Sequence, residues 1–452
     1  MLTEKDKSFR KELSALAIPF ALQGLLTALV GASDALMLGR LTQSSIAAVS
    51  LANQISFVMS LFMGAAIGSV GVLVAQYYGK EDFATVKKLL SMSLRYSFGI
   101  TLIFFLLAFF IPEQLMMIFT NEPELIRIGA DYLRIVSFSY LFSGVAHCYL
   151  MLMKVDGRAK MSVWISAVTV IVDMAADFFL IYGFGKIPAL GANGSAYSTI
   201  AVEILAVIWC VIASLQKGRI RPNLRSLLSF SKQLEKDTLR VALPMLASSL
   251  SWGLSISAHS AIIGHLGTDA TAAYSVTNVA TSLIQCLSHG FANGGAIMIG
   301  GVLGQNRLEE AKDYGRRFWN VSIFCGVANA VLLCIVGPLV YIFYVLEPLA
   351  KQYLVMMLAF NILYMFAYAF NTVFTCGVFP AGGDAKYDAV SVFFATWCFA
   401  LPLSLIGCFV FHWPVMVVYI VMCADEIVKV PFLIPHYRKY IWLKNLTREE
   451  TI

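Results

Sequence analysis

The chain has 452 residues, of which 59% are hydrophobic and only 13% are charged, with a mean hydropathy of +0.76. Long apolar runs with this composition exclude an ordinary soluble domain and predict an all-α polytopic membrane protein. The chain also lacks the short alternating segments of a transmembrane β-barrel. The formal net charge of +6 lies mainly between the apolar runs, so it indicates contact with the lipid surface and not with nucleic acid.

Twelve apolar segments are each long enough to cross a bilayer as a helix. They run approximately over residues 14–39, 46–76, 92–112, 128–153, 161–184, 191–215, 238–264, 272–303, 318–346, 351–377, 386–411 and 413–436. If both termini are cytoplasmic, 28 of the 33 Lys and Arg residues fall in cytoplasmic segments. This asymmetry predicts cytoplasmic termini. The charged N-terminus has no cleavable signal pattern, so we expect a multi-pass protein of the plasma (inner) membrane.

The first predicted span contains a proline and an isolated acid. Pro19 removes a backbone hydrogen bond and permits a kink, which makes it a candidate hinge. Because Pro244 matches it in the second half of the chain, a requirement of the fold is the simpler explanation. Asp34 is the only acid between Glu12 and Glu81. An ionisable side chain in a membrane span costs about 2.5–3.5 kcal/mol, so Asp34 is a candidate functional residue. The alternative is that water reaches it from outside.

Further acids lie in the fifth and sixth spans. Asp173 and Asp177 are spaced i, i+4, which puts them on one face of a helix. Their mutual repulsion and burial both disfavour ionisation, so a proton is easier to hold near neutral pH. With Asp34 they would form a proton site or an oxygen-rich cage for a small cation, which the Thr199 hydroxyl could complete. The alternatives are a solvated helix end for the pair and a snorkelling role for Glu203.

The sequence from Pro19 to Asn53 recurs from Pro244 to Asn278 at a constant offset of 225. This duplication predicts two pseudo-symmetric six-helix lobes, residues 1–215 and 238–452, joined by a cytoplasmic linker at 216–237. An even number of spans gives both lobes the same orientation, and we expect a cleft between them. Asp34 matches His259 in the second copy, so only the N-lobe carries this carboxylate.

The C-lobe has fewer candidate residues. No acid lies between residues 241 and 267 or between 351 and 377. In the twelfth span, Asp425 and Lys429 have i, i+4 spacing beside Glu426 and predict an internal ion pair. The sequence therefore favours the C-lobe as scaffold and cavity wall, and the N-lobe as the half that binds an ion.

Motifs of enzymes are missing from the sequence. It contains no HExxH, no GxSxG in a polar setting and no GxxxxGK[ST], and its nine cysteines show neither metal-ligand nor disulfide spacing. We therefore expect a protein that is not an enzyme and has no cofactor. Without an ATP-binding motif, transport must draw on an ion gradient, of H⁺ or Na⁺.

Several stretches resemble the multidrug and toxic compound extrusion (MATE) family of transporters, over essentially the whole chain. The resemblance implies twelve helices in two lobes, and export of organic cations or other amphipathic compounds against an inward H⁺ or Na⁺ gradient. The similar stretches are Asp34-Ala-Leu-Met-Leu-Gly-Arg-Leu, Ala47-Ala-Val-Ser-Leu-Ala-Asn-Gln, Val74-Ala-Gln-Tyr-Tyr-Gly, Ile181-Tyr-Gly, Pro188-Ala-Leu-Gly-Ala-Asn-Gly-Ser-Ala-Tyr, Ala424-Asp-Glu-Ile-Val-Lys and Trp442-Leu-Lys-Asn.

The resemblance also implies roles for particular residues. Asp34 matches the family's first-helix aspartate, and Asp177 matches the fifth-helix aspartate of its DinF-like branch. Asp173 stands where that branch commonly has Asn, and Thr199 matches its sixth-helix hydroxyl. The other main bacterial branch has acids on the seventh and tenth helices, and this sequence has none there.

We therefore hypothesise a secondary-active multidrug antiporter that exchanges amphipathic small molecules for H⁺ or Na⁺. We expect it to act as a monomer in the lipid bilayer, without nucleic acid. One alternative is a lipid-linked oligosaccharide flippase of the same superfamily, although its anionic pyrophosphate cargo would require arginines that the spans almost entirely lack. Another is a membrane receptor or scaffold that binds without transporting.

Overall fold

The computed structural model describes residues 4–38, 41–185, 188–216, 231–344 and 346–448. Twelve long helices fill this part of the chain. They are α1 Glu4–Leu38, α2 Gln43–Gly79, α3 Phe83–Phe110, α4 Pro123–Val155, α5 Ala159–Tyr182, α6 Ala192–Ser214, α7 Lys232–His265, α8 Thr268–Gly304, α9 Leu308–Phe343, α10 Pro348–Ala381, α11 Ala385–Phe409 and α12 Val415–Arg438.

Each long helix coincides with one predicted span, which confirms the all-α membrane fold. Among the described residues, eleven helices are long and apolar enough to cross a membrane by length and composition. The twelfth, α12, has 24 residues and includes Asp425, Glu426 and Lys429. A short helix, Pro112–Met117, follows α3 and begins with its proline at N1, where the missing N–H costs nothing.

The first helix of each half of the duplication contains an internal proline. Pro19 lies inside the 35-residue helix α1 and Pro244 inside the 34-residue helix α7. The helical backbone continues through Pro19, although one i→i−4 hydrogen bond is lost there. This lost bond makes bending easiest at Pro19, so its role as a hinge stays a prediction.

The chain divides into two compact units. One consists of Met1–Gly24, Ala75–Glu81 and Asp237–Ile452, and the other of Leu25–Val74 and Asp82–Lys236. Two of the boundaries fall inside α1 and α2. The predicted lobes at 1–215 and 238–452 therefore stay a prediction, and residues 217–230 of the predicted linker lie outside the described residues.

The segment after α12 folds back onto the end of α2. Gln76 is fully buried; its Nε2 donates to the Ala381 carbonyl at 2.6 Å, and its Oε1 accepts from the Leu446 amide at 2.6 Å. Arg448 forms two hydrogen bonds with the Asp237 carboxylate, at 2.8 and 2.9 Å. The C-terminal segment is thus part of the packed structure.

Trp442 fixes this segment to the core. Its side chain is fully buried and stacks on Tyr437, with ring centroids 6.1 Å apart. Gly315 on α9 faces the indole so closely that an added Cβ would lie 2.7 Å from it. The indole therefore fills its site completely, and its neighbours leave no room for another group.

We expect Trp442→Ala to lower the free energy of unfolding by about 3–5 kcal/mol, because a large buried aromatic ring is replaced by a cavity. The thermal unfolding midpoint of the purified protein in detergent measures this loss. Trp164→Ala on α5 is the matched control, since Trp164 is 66% exposed and we expect its midpoint to change little. Equal midpoints for the two variants would contradict the packing role of Trp442.

Candidate functional site

The structure brings together the three N-terminal acids that the sequence singled out. One carboxylate oxygen from each of Asp34, Asp173 and Asp177 lies within 4.8 Å of the others. Asp34 projects from the last two turns of α1, and the two other acids from successive turns of one face of α5. Asp173 and Asp177 are buried, with 6% and 1% exposure, and Asp34 is partly buried. We call these three residues the carboxylate cluster.

The hydrogen bonds of the carboxylate cluster leave acceptors unused. Ser198 Oγ on α6 donates to Asp173 Oδ1 at 2.9 Å. The carboxyl groups of Asp34 and Asp177 contact each other, and a hydrogen bond between them requires a proton on one. Oδ1 of each is buried without a hydrogen-bond partner among the described residues. Because buried acceptors are almost always satisfied, these two oxygens are candidate positions for a proton or a cation.

The hydroxyl that contacts the carboxylate cluster comes from Ser198, the neighbour of the expected residue. Thr199 Oγ1 donates to the Ser195 carbonyl of its own helix at 3.0 Å, which leaves its lone pairs available as a ligand. A role for Thr199 as a cation ligand therefore stays a prediction. The run of hydroxyls at 195, 198 and 199 was visible in the sequence, but the rotation of α6 that selects among them was not.

Tyr132 on α4 adds a further polar group that the sequence did not single out. It is buried, interacts electrostatically with Asp34 and Asp177, and its hydroxyl lies 3.4 Å from Asn53 Oδ1. Tyr132 thus adds a buried polar group near the cluster, and its hydroxyl donates to Asn53.

The carboxylate cluster carries an excess of negative charge. In the described part of the chain, Asp34 and the Ser198 hydroxyl act on both Asp173 and Asp177, Asp173 also acts on Asp177, and no basic side chain is among these groups. Glu203 on α6 adds a fourth acid, on which the charge of Asp173 acts. Several unpaired carboxylates among membrane helices are strongly unfavourable unless protons or cations neutralise them. The donor set consists of oxygens, which suits a proton or a small hard cation.

In the C-terminal half, a buried acid pairs with a lysine and a histidine with a tyrosine. Lys429 Nζ lies 2.6 Å from Glu426 Oε1, so the predicted Asp425–Lys429 pair was wrong in its partner. The reason is that Asp425 is already engaged, accepting from the Glu426 amide at 2.7 Å. His289 bonds to the Tyr368 hydroxyl at 2.9 Å.

Comparison with known proteins places the chain in a family. The MatE family model matches residues 19–179 and 244–406, the two copies of the duplication. An uncharacterized transporter of Bacillus subtilis, YisQ, is 22% identical over 443 residues, which cover 97% of this chain and 96% of that protein. The multidrug resistance protein PmpM of Pseudomonas aeruginosa is 22% identical over 87% of this chain and 83% of its own length.

Solved structures show the same fold at low sequence identity. One is an outward-facing multidrug resistance MATE family transporter of the MOP superfamily, with a TM-score of 0.86, 17% identity and 97% coverage of both chains. Another is a MOP superfamily transporter from Pyrococcus furiosus, with a TM-score of 0.87, 16% identity and the same coverage. With the family model matching both halves, this chain belongs to the MatE family and is a multi-pass membrane transporter, not an enzyme.

Proposed function

We propose that this transporter is a secondary-active antiporter that exports organic cations and other amphipathic small molecules in exchange for H⁺ or Na⁺. The observation that carries the proposal is the carboxylate cluster, whose acids meet among membrane helices without a basic partner in the described residues. In this proposal the protein works as a monomer and needs no cofactor, because the ion gradient supplies the energy.

The mechanism follows from the cost of unneutralised charge. A proton or Na⁺ that binds the cluster holds Asp34 of α1 against Asp173 and Asp177 of α5, since it relieves their repulsion. Loss of the ion restores the repulsion between the two helices. An ion can drive a conformational change only if it binds one conformation more tightly, and a cluster assembled from two helices meets that requirement.

Pro19 gives α1 a position at which it can bend when the ion binds or leaves. It lies fifteen residues before Asp34, and the boundary between the two compact units falls just after it, between Gly24 and Leu25. In the proposed cycle, α1 straightens or bends at Pro19 as the ion binds or leaves, because the missing hydrogen bond lowers the energy of bending there.

The substrate class rests on the relatives and on the sequence. PmpM is described as a multidrug resistance protein, which supports small amphipathic molecules as cargo. The predicted spans contain almost no arginine, and an anionic pyrophosphate lipid would require such residues. An organic cation is therefore the substrate to test first.

The identity of the coupling ion can be measured in inverted vesicles with a fluorescent organic cation. We expect uptake under either an imposed pH gradient without Na⁺ or an imposed Na⁺ gradient at constant pH, and the effective gradient identifies the ion. The carboxylate cluster has oxygen ligands that suit either H⁺ or Na⁺. Vesicles without the protein serve as the control. If neither gradient drives any organic cation, the antiport proposal is wrong, and a flippase assay with a lipid-linked oligosaccharide becomes the next experiment.

A further inference from the structure

A second group of charged side chains lies in α11 and α12. Lys429 and Glu426 are each under a tenth exposed, and their charged atoms are 2.6 Å apart. Asp425 and Asp388 also act on the Lys429 ammonium. The charges of three acids therefore act on one lysine. A buried pair of this kind is expensive to form, and a simple packing role would be filled as well by apolar side chains.

Neutral polar groups complete this arrangement from three helices. Each carboxylate receives a hydrogen bond from a side chain on a neighbouring helix. Asn371 Nδ2 donates to Glu426 Oε2 at 2.6 Å. Ser248 Oγ donates to Asp388 Oδ2, and Thr396 Oγ1 donates to Asp425 Oδ2 at 3.2 Å. Asn371 is 2% exposed, yet its Oδ1 has no hydrogen-bond partner among the described residues. A further acceptor next to Glu426 is thus unused, as a site for a cation requires.

Two helices change their winding beside these residues. Residues Val373–Val378 of α10 and Phe393–Ala400 of α11 are π-helical. Each π-helical segment holds one hydroxyl of the arrangement, because Thr375 bonds to Asp388 and Thr396 bonds to Asp425. A π-helical turn redirects side chains at an energetic cost and occurs frequently at functional sites. Both distortions therefore direct oxygen atoms towards the same group of charges.

We propose that α7, α10, α11 and α12 form a second cation site and that the Lys429 ammonium occupies it as a tethered cation. Glu426 is the carboxylate that contacts the ammonium, at 2.6 Å; Asp388 and Asp425 add negative charge, and the unused Oδ1 of Asn371 is a further acceptor for a free cation. An ammonium group is a compact charge with three N–H donors, so a free primary ammonium or an alkali cation takes its place once the lysine is removed. This site is separate from the coupling ion of the proposed function, and it exchanges no ion during transport.

The test is rescue of a lysine-free variant by a free cation. In Lys429→Ala, the full-length protein in detergent loses about 5 °C or more of its unfolding midpoint, because the acids lose their counter-charge. Ethylammonium, which replaces the missing end of the side chain, restores at least half of that loss in a saturable manner. The wild-type midpoint does not respond, and tetraethylammonium, which is too large and has no N–H donor, restores nothing in the variant.

Two controls separate this result from general stabilisation. Leu433→Ala removes a fully buried side chain one turn further along α12 and is destabilised without any response to ethylammonium. The double variant Lys429→Ala/Glu426→Gln loses the response because a principal ligand is gone. Adding Asp34→Asn to Lys429→Ala leaves the response intact, so failure of the antiport proposal and failure of the tethered-cation proposal give different results.

Two outcomes overturn the proposal. One is an absent ethylammonium response in Lys429→Ala, and the other is an equal response in Leu433→Ala. If the alanine variant does not fold, Lys429→Gln keeps most of the side-chain volume while removing the charge. Na⁺, which is smaller than ethylammonium, must then raise the midpoint of Lys429→Gln more than that of the wild type, and an equal effect on both proteins rejects the site.

Discussion

Asp34→Asn is expected to reduce gradient-driven export of an organic cation by at least about tenfold. The amide keeps the size and polarity of the side chain but cannot take up a proton, and it removes one negative charge from the carboxylate cluster. Coupling depends on the difference in ion affinity between two conformations, and a tenfold change in that difference corresponds to about 1.4 kcal/mol. The measurement is the initial rate of dye uptake into inverted vesicles under the effective gradient.

The matched control is Asp131→Asn, which removes an exposed acid of α4 and is expected to transport at the wild-type rate. Asp177→Asn is expected to behave like Asp34→Asn because the two carboxyl groups contact each other. Binding of the dye measured without a gradient is retained in both cluster variants, which distinguishes lost coupling from lost folding. If Asp34→Asn exports the dye as fast as the wild type, the carboxylate mechanism is wrong.

The sequence was sufficient for the fold because apolar length is a local property. Every predicted span coincides with one long helix, and the offset of 225 between the two copies agrees with the two regions that the family model matches. The i, i+4 spacing of Asp173 and Asp177 was enough to put them on one face of α5. Contact with Asp34 was a hypothesis, since it depends on how α1 packs against α5.

The choice between neighbouring partners and the contacts between residues distant in sequence were beyond these arguments. Lys429 pairs with Glu426, although i, i+4 spacing favoured Asp425, because Asp425 accepts from the backbone of its neighbour and from Thr396. The rotation of α6 about its axis determines which hydroxyl faces Asp173, and in the structure this is the hydroxyl of Ser198. The segments at 74–79 and 442–445 each resembled the family, but nothing local showed that the protein brings these regions together through Gln76, which bonds to an amide 370 residues away.

A large effect on folding is expected from Gly304→Ala at the end of α8. A Cβ at this position would lie 1.8 Å from the Gln76 carbonyl oxygen, far inside van der Waals contact. Gln76 cannot move aside, because its side chain is bonded to both Ala381 and Leu446. Overpacking typically costs 1–3 kcal/mol where side chains can adjust, and here the obstacle is backbone. We therefore expect a loss of about 3 kcal/mol or more, seen as a lower unfolding midpoint and a lower yield of folded protein.

Gly301→Ala tests whether the close approach is the cause. Gly301 lies three residues earlier on α8, and a Cβ there would meet nothing within 4 Å. The same substitution should then keep or slightly raise the midpoint, since alanine favours a helix over glycine by up to about 1 kcal/mol. The difference between the two variants isolates the contact with Gln76 from any general effect of alanine in α8. Equal midpoints would mean that α2 and α8 can separate at this point without loss, and that the C-terminal segment does not hold the end of α2 in place.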